Sequence, residues 1–369
     1  MIEICKYFFF LGSTGFGGPL SLIHQMRQHF VLQEKLLTAD EFDQAFTLIK
    51  AMPGPIAFQM AVYCSQHLHG RLAGFLAGTS LLVPAFVLMI AAAAGYQFLV
   101  GNSYVTKLLN GFQFAVAAII LLGLKTFFMQ YYKLLTFWIV GALAAYLYLN
   151  RVVPEPFIIV GFGIICVLIA AMKQNTTISF SAAFFAFDGD VLWNIFRVCT
   201  YTGAIVFGTG LAMLPVLQEQ FVVNYHWLDL QTFNDGVTFG QLTPGPVSIT
   251  ATFLGYKIAG FAGALLATIG IFLLPLFHML TWFPKVQDWL KKQSWIGNFL
   301  LGATSAVVGV LLVTVYRMNQ SFVGNLNFWI IFTATFFVAV LLKKIPIYIL
   351  IFAGGLINLL VGLATVNSI

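Results

Sequence analysis

Long apolar stretches and short polar breaks alternate along this chain, and the apolar stretches dominate. Phe75 to Ala94, Phe112 to Met129 and Phe157 to Met172 are runs with almost no charge. A helix needs about 20 apolar residues to cross a hydrocarbon core of roughly 30 Å, so runs of this kind predict spanning helices. They are continuous rather than alternating, which argues against a β-barrel.

Other apolar segments are too short to cross. Glu41 to Met52 reads as a short amphipathic helix, Pro53-Gly54-Pro55 turns the chain, and Ile56 to His67 reads as a second short helix. At 1.5 Å per residue each covers about half of the core. The second half repeats the pattern with Thr232 to Leu242, Pro244-Gly245-Pro246 and Val247 to Tyr256. Polar connectors precede both, at Gln25 to Asp40 and Leu217 to Leu230. Before each connector a first helix is interrupted by glycines: Gly15, Gly17 and Gly18 with Pro19, then Gly203, Gly208 and Gly210. Four ordinary spans complete each half.

A shift of 191 positions aligns the halves without a gap from Gly12 to Pro84. Gly12 falls on Gly203, Phe16 on Phe207, Gly17 on Gly208, Phe42 on Phe233 and Pro84 on Pro275. The shared residues are mostly Gly and Pro, so a chain path is duplicated. Beyond Pro84 and Pro275 the halves agree in pattern only. Two repeats are expected, at 1–180 and 190–369. If each Pro-Gly-Pro is the tip of a re-entrant hairpin, each half has about five spans, and an odd number inverts the second half relative to the first. The fold class expected is therefore an all-α polytopic membrane protein of two inverted repeats.

Composition agrees: 60% of the 369 residues are hydrophobic and 8% charged, against about 25% charged in soluble chains. The net charge of +6 comes from Lys and Arg standing mostly singly, with two Lys-Lys pairs, between apolar runs, which points to topology rather than nucleic acid. With Arg27, Lys35 and Lys50 on the cytoplasmic side, thirteen of the eighteen Lys and Arg fall inside; Lys6, Lys107, Arg151, Lys257 and Arg317 fall outside. The matched connector carries no Lys or Arg from Pro215 to Gly255, the opposite bias expected of an inverted repeat. Both termini then lie outside. No cleavable signal peptide is evident, so the first helix is expected to be retained. Cys5, Cys64, Cys166 and Cys199 form no CxxC and read as packing residues.

Broken helices place chemistry at mid-membrane. A proline at a helix start leaves free N–H groups under a partial positive charge. Ile56, Ala57 and Phe58 would present such donors after Pro55; Val247, Ser248 and Ile249 would do so after Pro246. Two helix ends facing one centre would hold an anion; the bland alternative is a pair of structural kinks. Lys50 stands three residues before Pro53, and its mate is Gln241. A buried ammonium there needs a counter-charge, from a substrate anion or from Asp43, unless it snorkels to the interface. Gln59, Thr243, Ser248 and Thr250 add uncharged hydrogen-bonding groups. Asp43 and Asp235 either relay protons or pair locally, and Arg27 either gates anions or sets topology. His24, Gln25, Ser13 and Thr14 lie in or beside the first broken helix. No metal-ligand spacing, catalytic triad, P-loop or dinucleotide fingerprint is present, so neither an enzyme nor an ATP-driven pump is expected, and no cofactor.

Phe16-Gly17-Gly18-Pro19 followed by Met52-Pro53-Gly54-Pro55 resembles the chromate ion transporter family. Phe207-Gly208-Thr209-Gly210 and Thr243-Pro244-Gly245-Pro246 repeat that signature in the second half. The resemblance spans essentially the whole chain and matches the family's long form of two fused halves. It implies a multi-pass bacterial or archaeal plasma-membrane protein that exports chromate, a mimic of sulfate. It also adds Gly17, Gly18 and Gly208 to the candidate binding residues. Two departures are Gly208-Thr209-Gly210 in place of Gly17-Gly18-Pro19, and the charge of Lys50. Transport of another anion such as sulfate, or passive conduction of anions, remains the alternative. The partners expected are the oxyanion, membrane lipid and, in a homodimer, a second copy of the chain.

Overall fold

The computed structural model describes residues 1–50, 52–99, 101–172, 189–205, 210–290, 292–293, 295–342 and 345–366. They are helical throughout, with no strand among them. The first half runs α1 (Ile2–Thr14), α2 (Gly18–Arg27), a π-turn (Gln28–Gln33), α3 (Ala39–Ile49), α4 (Ile56–His69), α5 (Arg71–Leu99), α6 (Ser103–Tyr131), α7 (Leu135–Leu149) and α8 (Glu155–Met172). The second runs α9 (Val191–Ile205), a 3-10 turn (Gly210–Ala212), α10 (Met213–Gln218), a π-turn (Glu219–Asn224), α11 (Leu230–Leu242), a 3-10 turn (Val247–Ile249), α12 (Thr250–Thr281), α13 (Phe283–Leu290), α14 (Trp295–Asn319), α15 (Leu326–Leu341) and α16 (Ile347–Val366). The boundary expected near residues 180–190 falls largely outside the described residues.

Six helical segments are long and apolar enough to cross a membrane: Arg71–Phe98, Ser103–Tyr131, Glu155–Met172, Val247–Thr281, Trp295–Phe322 and Ile347–Ala364. Helices α7 and α15 are apolar but shorter. The finer expectation of about five spans per half must count those two, together with α1 and α9. Phe10, Val87, Phe337 and Leu360 are exposed on the outside, as a lipid-facing surface requires.

The connectors repeat bond for bond. Thr38 caps α3 in a capping box with Glu41, its hydroxyl accepting from the Glu41 N–H at 3.2 Å. Asp229, at the equivalent position, caps α11 by accepting from Thr232 N–H at 2.7 Å. Such caps satisfy the first free donors of a helix. The carbonyl of Phe30 accepts from both Leu36 and Leu37, and that of Phe221 from both Trp227 and Leu228. The likeness also extends past Pro84. Trp138 Nε1 donates to the Tyr132 carbonyl at 2.8 Å, and Trp329 Nε1 to the Val323 carbonyl at 2.8 Å, again 191 positions on.

The halves interlock reciprocally. Helix α1 lies on α5 and α9 on α12; a Cβ at Gly12 would strike the Leu81 carbonyl, and one at Gly203 the Ile271 carbonyl. Across the halves, α6 packs on α15 and α16, while α14 packs on α7 and α8. Gly111 meets Gly354 in one crossing, and Gly302 meets Phe162 in the other. Small residues let helix backbones approach this closely where lipid supplies no hydrophobic drive. Helix α5 packs on α12, which is kinked by non-helical Ala259 and Gly260; the two carry Pro84 and Pro275 within them.

Candidate functional site

Each Pro-Gly-Pro sits against the central helix of the opposite half. Gly54 adopts φ +124°, and a Cβ there would lie 2.8 Å from the ring carbons of Pro275 on α12. Gly245 adopts φ +104°, and its Cβ would lie 3.1 Å from Ala85, next to Pro84 on α5. Positive φ favours glycine, so backbone shape and close packing both require it at these two positions.

The first tip is closed by Gln59, whose Nε2 donates to the Pro53 carbonyl at 2.7 Å. Pro55 is the extended cap of α4, so the N–H groups of Ile56, Ala57 and Phe58 have no intrahelical acceptor. The second tip differs. Ile249 N–H donates to the Pro246 carbonyl at 3.0 Å, because Val247–Ile249 winds as a tighter 3-10 turn. Only Val247 and Ser248 keep open donors there, which corrects the expectation of three. Gly245 N–H donates to the Gly15 carbonyl at 3.0 Å, tying this tip to the broken helix of the first half. A Cβ on Gly210 would lie 2.6 Å from Ser248 Oγ. Thr243 Oγ1 donates to the Phe239 carbonyl at 2.8 Å and also contacts Met89 Sδ. Gly54, Pro55, Pro244, Gly245 and Pro246 are buried, so both turns are packed inside the protein.

Charge is distributed otherwise than the spacing suggests. Asp43 does not neutralise Lys50. It accepts from Arg27 Nε and an Arg27 terminal nitrogen at 3.0 and 2.9 Å. A guanidinium offers a paired fork that suits a carboxylate, and this decides the partnership. The same hydrogen bonds hold the Asp43 carboxyl below the usual carboxylate range. Lys50 caps α3, is half-buried, and has its ammonium 5.2 Å from the Phe46 ring centre. Among the described residues no carboxylate lies within ion-pair reach of it. Gln241, its mate, has a buried Nε2 with no acceptor.

Asp235 is 1% exposed and is hydrogen-bonded across the fold. It accepts from Tyr96 Oη at 2.6 Å and Gln113 Nε2 at 2.7 Å, so it pins α11 to α5 and α6. Gly17 and Gly18 have φ of +102° and +76° where α2 begins; Gly208 lies outside the described residues. No group of three His, Cys, Asp or Glu among the described residues could hold a metal ion.

A family model described as chromate transporter matches residues 2–168 and again residues 193–359. The chain belongs to the chromate transporter family. The two matched stretches begin and end 191 positions apart, the offset of the connector bonds. A probable chromate transport protein of Synechococcus elongatus is 29% identical over 84% of this chain and 84% of its own length. A chromate transport protein of Cupriavidus metallidurans is 27% identical over 97% of this chain and 92% of its own. An uncharacterised transporter of Methanocaldococcus jannaschii is 25% identical over 91% and 88%. No solved structure matches the chain. Family and apolar helices together make this a multi-pass membrane protein.

In this chromate transporter family member, several contacts lie beyond sequence reasoning. Tyr96 and Gln113 reach Asp235 across 139 and 122 positions, and Lys257 sits 4.9 Å above the Tyr96 ring. Replacing Asp235 by Asn turns one accepting oxygen into a donor facing Tyr96 or Gln113. The expected cost is about 1–3 kcal/mol, read as a lower melting temperature of the detergent-purified protein. An unchanged melting temperature would show that the pair holds nothing.

Proposed function

We propose that this protein is a secondary transporter that moves chromate, or a closely similar tetrahedral dianion, outward across the cell membrane by alternating access. The observation that carries the reading is the pair of Pro-Gly-Pro turns, each set against the opposite half and ending in open helix N–H groups, in a chain of the chromate transporter family. Helix N-termini suit an oxyanion. Lys50, with no carboxylate partner among the described residues, adds the positive charge that a dianion would complete, and Gln241 offers an unused donor at the other tip.

The repeats are 1–180 and 190–369, and their hairpins enter from opposite faces. Reciprocal packing of α6 on α16 and α14 on α8 supports a pseudo-two-fold relation, and the opposite charge bias of the connectors supports placing its axis in the membrane plane. Buried tips favour a cycle in which α5 and α12 slide apart to admit substrate, rather than a standing pore. The Arg27–Asp43 pair latches the cytoplasmic connector to α3. Moving an anion out of a cell that is negative inside gains about 2.3 kcal/mol per charge per 100 mV, so the membrane potential assists export.

Cells expressing the protein are expected to accumulate less chromate and to grow at higher chromate than cells carrying the empty vector. Equal uptake and equal tolerance would remove the export reading. If labelled sulfate alone were moved, transport would stand with a different substrate.

A further inference from the structure

A second buried constellation lies away from the hairpin tips, where the ends of α7, α8 and α14 meet. Glu155, the first residue of α8, is 0% exposed, and neither carboxyl oxygen has a hydrogen-bond partner. Among the described residues the cation that acts on it is Arg317 on α14, which is committed elsewhere. It pairs with Glu219 at 3.3 Å and donates to the carbonyls of Tyr148 and Leu149 at 3.0 and 3.2 Å. Its guanidinium also lies 4.5 Å from the Tyr148 ring centre. Among the described residues, the titratable and charged groups coupled electrostatically to Glu155 are Tyr148 from α7, Tyr201 from α9, Glu219 from the π-turn after α10, and Arg317 from α14.

Two carboxyls therefore share one guanidinium, and the guanidinium has chosen Glu219. An ionised Glu155 would be a buried charge with nothing to offset it, a state proteins avoid by neutralising the group. A proton on Glu155 balances the cluster. Losing that proton would set Glu155 against Glu219 and draw Arg317 towards α8. Glu219 begins the turn that leads to α11 and the second Pro-Gly-Pro, whereas Glu155 belongs to the first half. The charge on Glu155 thus acts on a joint between the halves that leads to one hairpin. The first half has no counterpart: Gln28 stands in place of Glu219, Thr126 in place of Arg317 and Pro346 in place of Glu155 at the 191-residue offset.

We propose that Glu155 is a proton-binding site that is loaded in the packed conformation described above and unloaded when the Glu219 connector moves, so that a pH gradient drives the anion cycle. The inference rests on the transport reading, and its two tests separate them. The first needs no substrate. The infrared spectrum of the full-length protein at neutral pH is expected to contain a protonated-carboxyl band that is missing in Glu155→Gln. A wild-type spectrum without that band overturns the proposal.

The second test uses proteoliposomes loaded with labelled chromate. Glu155→Gln is expected to keep chromate–chromate exchange near the wild-type rate but to lose acceleration by an imposed pH gradient. With one proton per anion, each pH unit shifts the wild-type accumulation ratio about tenfold. Glu155→Asp, which keeps a titratable group, should recover part of that response and guards against a folding defect in the amide variant. An undiminished gradient response in Glu155→Gln overturns the proposal. If the wild type exchanges neither chromate nor sulfate, the transport reading fails and the coupling with it, while the infrared band still reports the proton.

Discussion

Replacing Gly54 by Ala is expected to abolish oxyanion transport and to destabilise the protein. Two effects add. The residue sits at φ +124°, a region adopted essentially by glycine alone, which costs an L-residue about 1–3 kcal/mol. The new methyl would also lie 2.8 Å from the Pro275 ring and 2.8 Å from Gln59 Nε2. Gln59 can swing away, but only by giving up its bond to the Pro53 carbonyl. The Pro275 ring is rigid and embedded in α12, so the turn itself must shift. Overpacking of this kind costs about 1–3 kcal/mol, and the shift displaces the open N–H groups of α4. Gly18→Ala is the comparison. Its φ is +76°, yet a Cβ there meets nothing within 4 Å, so only the backbone effect remains. Transport assays and melting curves on both variants should rank Gly54→Ala well below Gly18→Ala. Equal behaviour would mean that the contact with Pro275 does not position the tip.

Lys50→Gln is expected to weaken anion handling without weakening the fold. An unpaired, half-buried ammonium contributes little to stability, and its removal relieves a desolvated charge. Towards a bound anion it matters more: at 4 Å and an effective dielectric of 20, two unit charges attract by about 4 kcal/mol. Partial exposure of Lys50 screens that attraction to about a third to two thirds of it. A loss of about 1.4–2.8 kcal/mol corresponds to a half-saturating chromate concentration raised by about 10- to 100-fold. Lys50→Arg keeps the charge and should retain most of the affinity. The substitution also makes the two tips alike, since Gln241 is the mate of Lys50. A half-saturating concentration unchanged in Lys50→Gln would place the anion elsewhere.

What was legible beforehand is what short stretches of chain encode by themselves. Pro-Gly-Pro, the glycine breaks and the polar connectors are local signals, and their recurrence at one offset exposed the duplication. The match past Pro84 is hard to see in the sequence because generic apolar residues fill the later spans; Gly111 with Gly302 marks it, as does Trp138 with Trp329 through one indole bond each. Pairings across the fold were out of reach. Spacing along α3 suggested Asp43 for Lys50, but Arg27 approaches from another helix with a better geometry. Glu219 and Arg317 stand 98 positions apart, and nothing local links either to Glu155. The second tip was expected to mirror the first, yet its 3-10 turn consumes the Ile249 donor. Which atoms a turn leaves free depends on how tightly it winds, and residue type does not encode that at this level.

The central claim is that opposed helix ends at the two Pro-Gly-Pro turns carry a tetrahedral dianion through the membrane. Flux of labelled chromate into proteoliposomes containing the purified protein, with unlabelled sulfate as competitor, tests it most directly. The account predicts a saturable flux that sulfate competes for and that collapses in Gly54→Ala. A flux no greater than that of protein-free liposomes, or one that rises without saturation like a conductance, would contradict it.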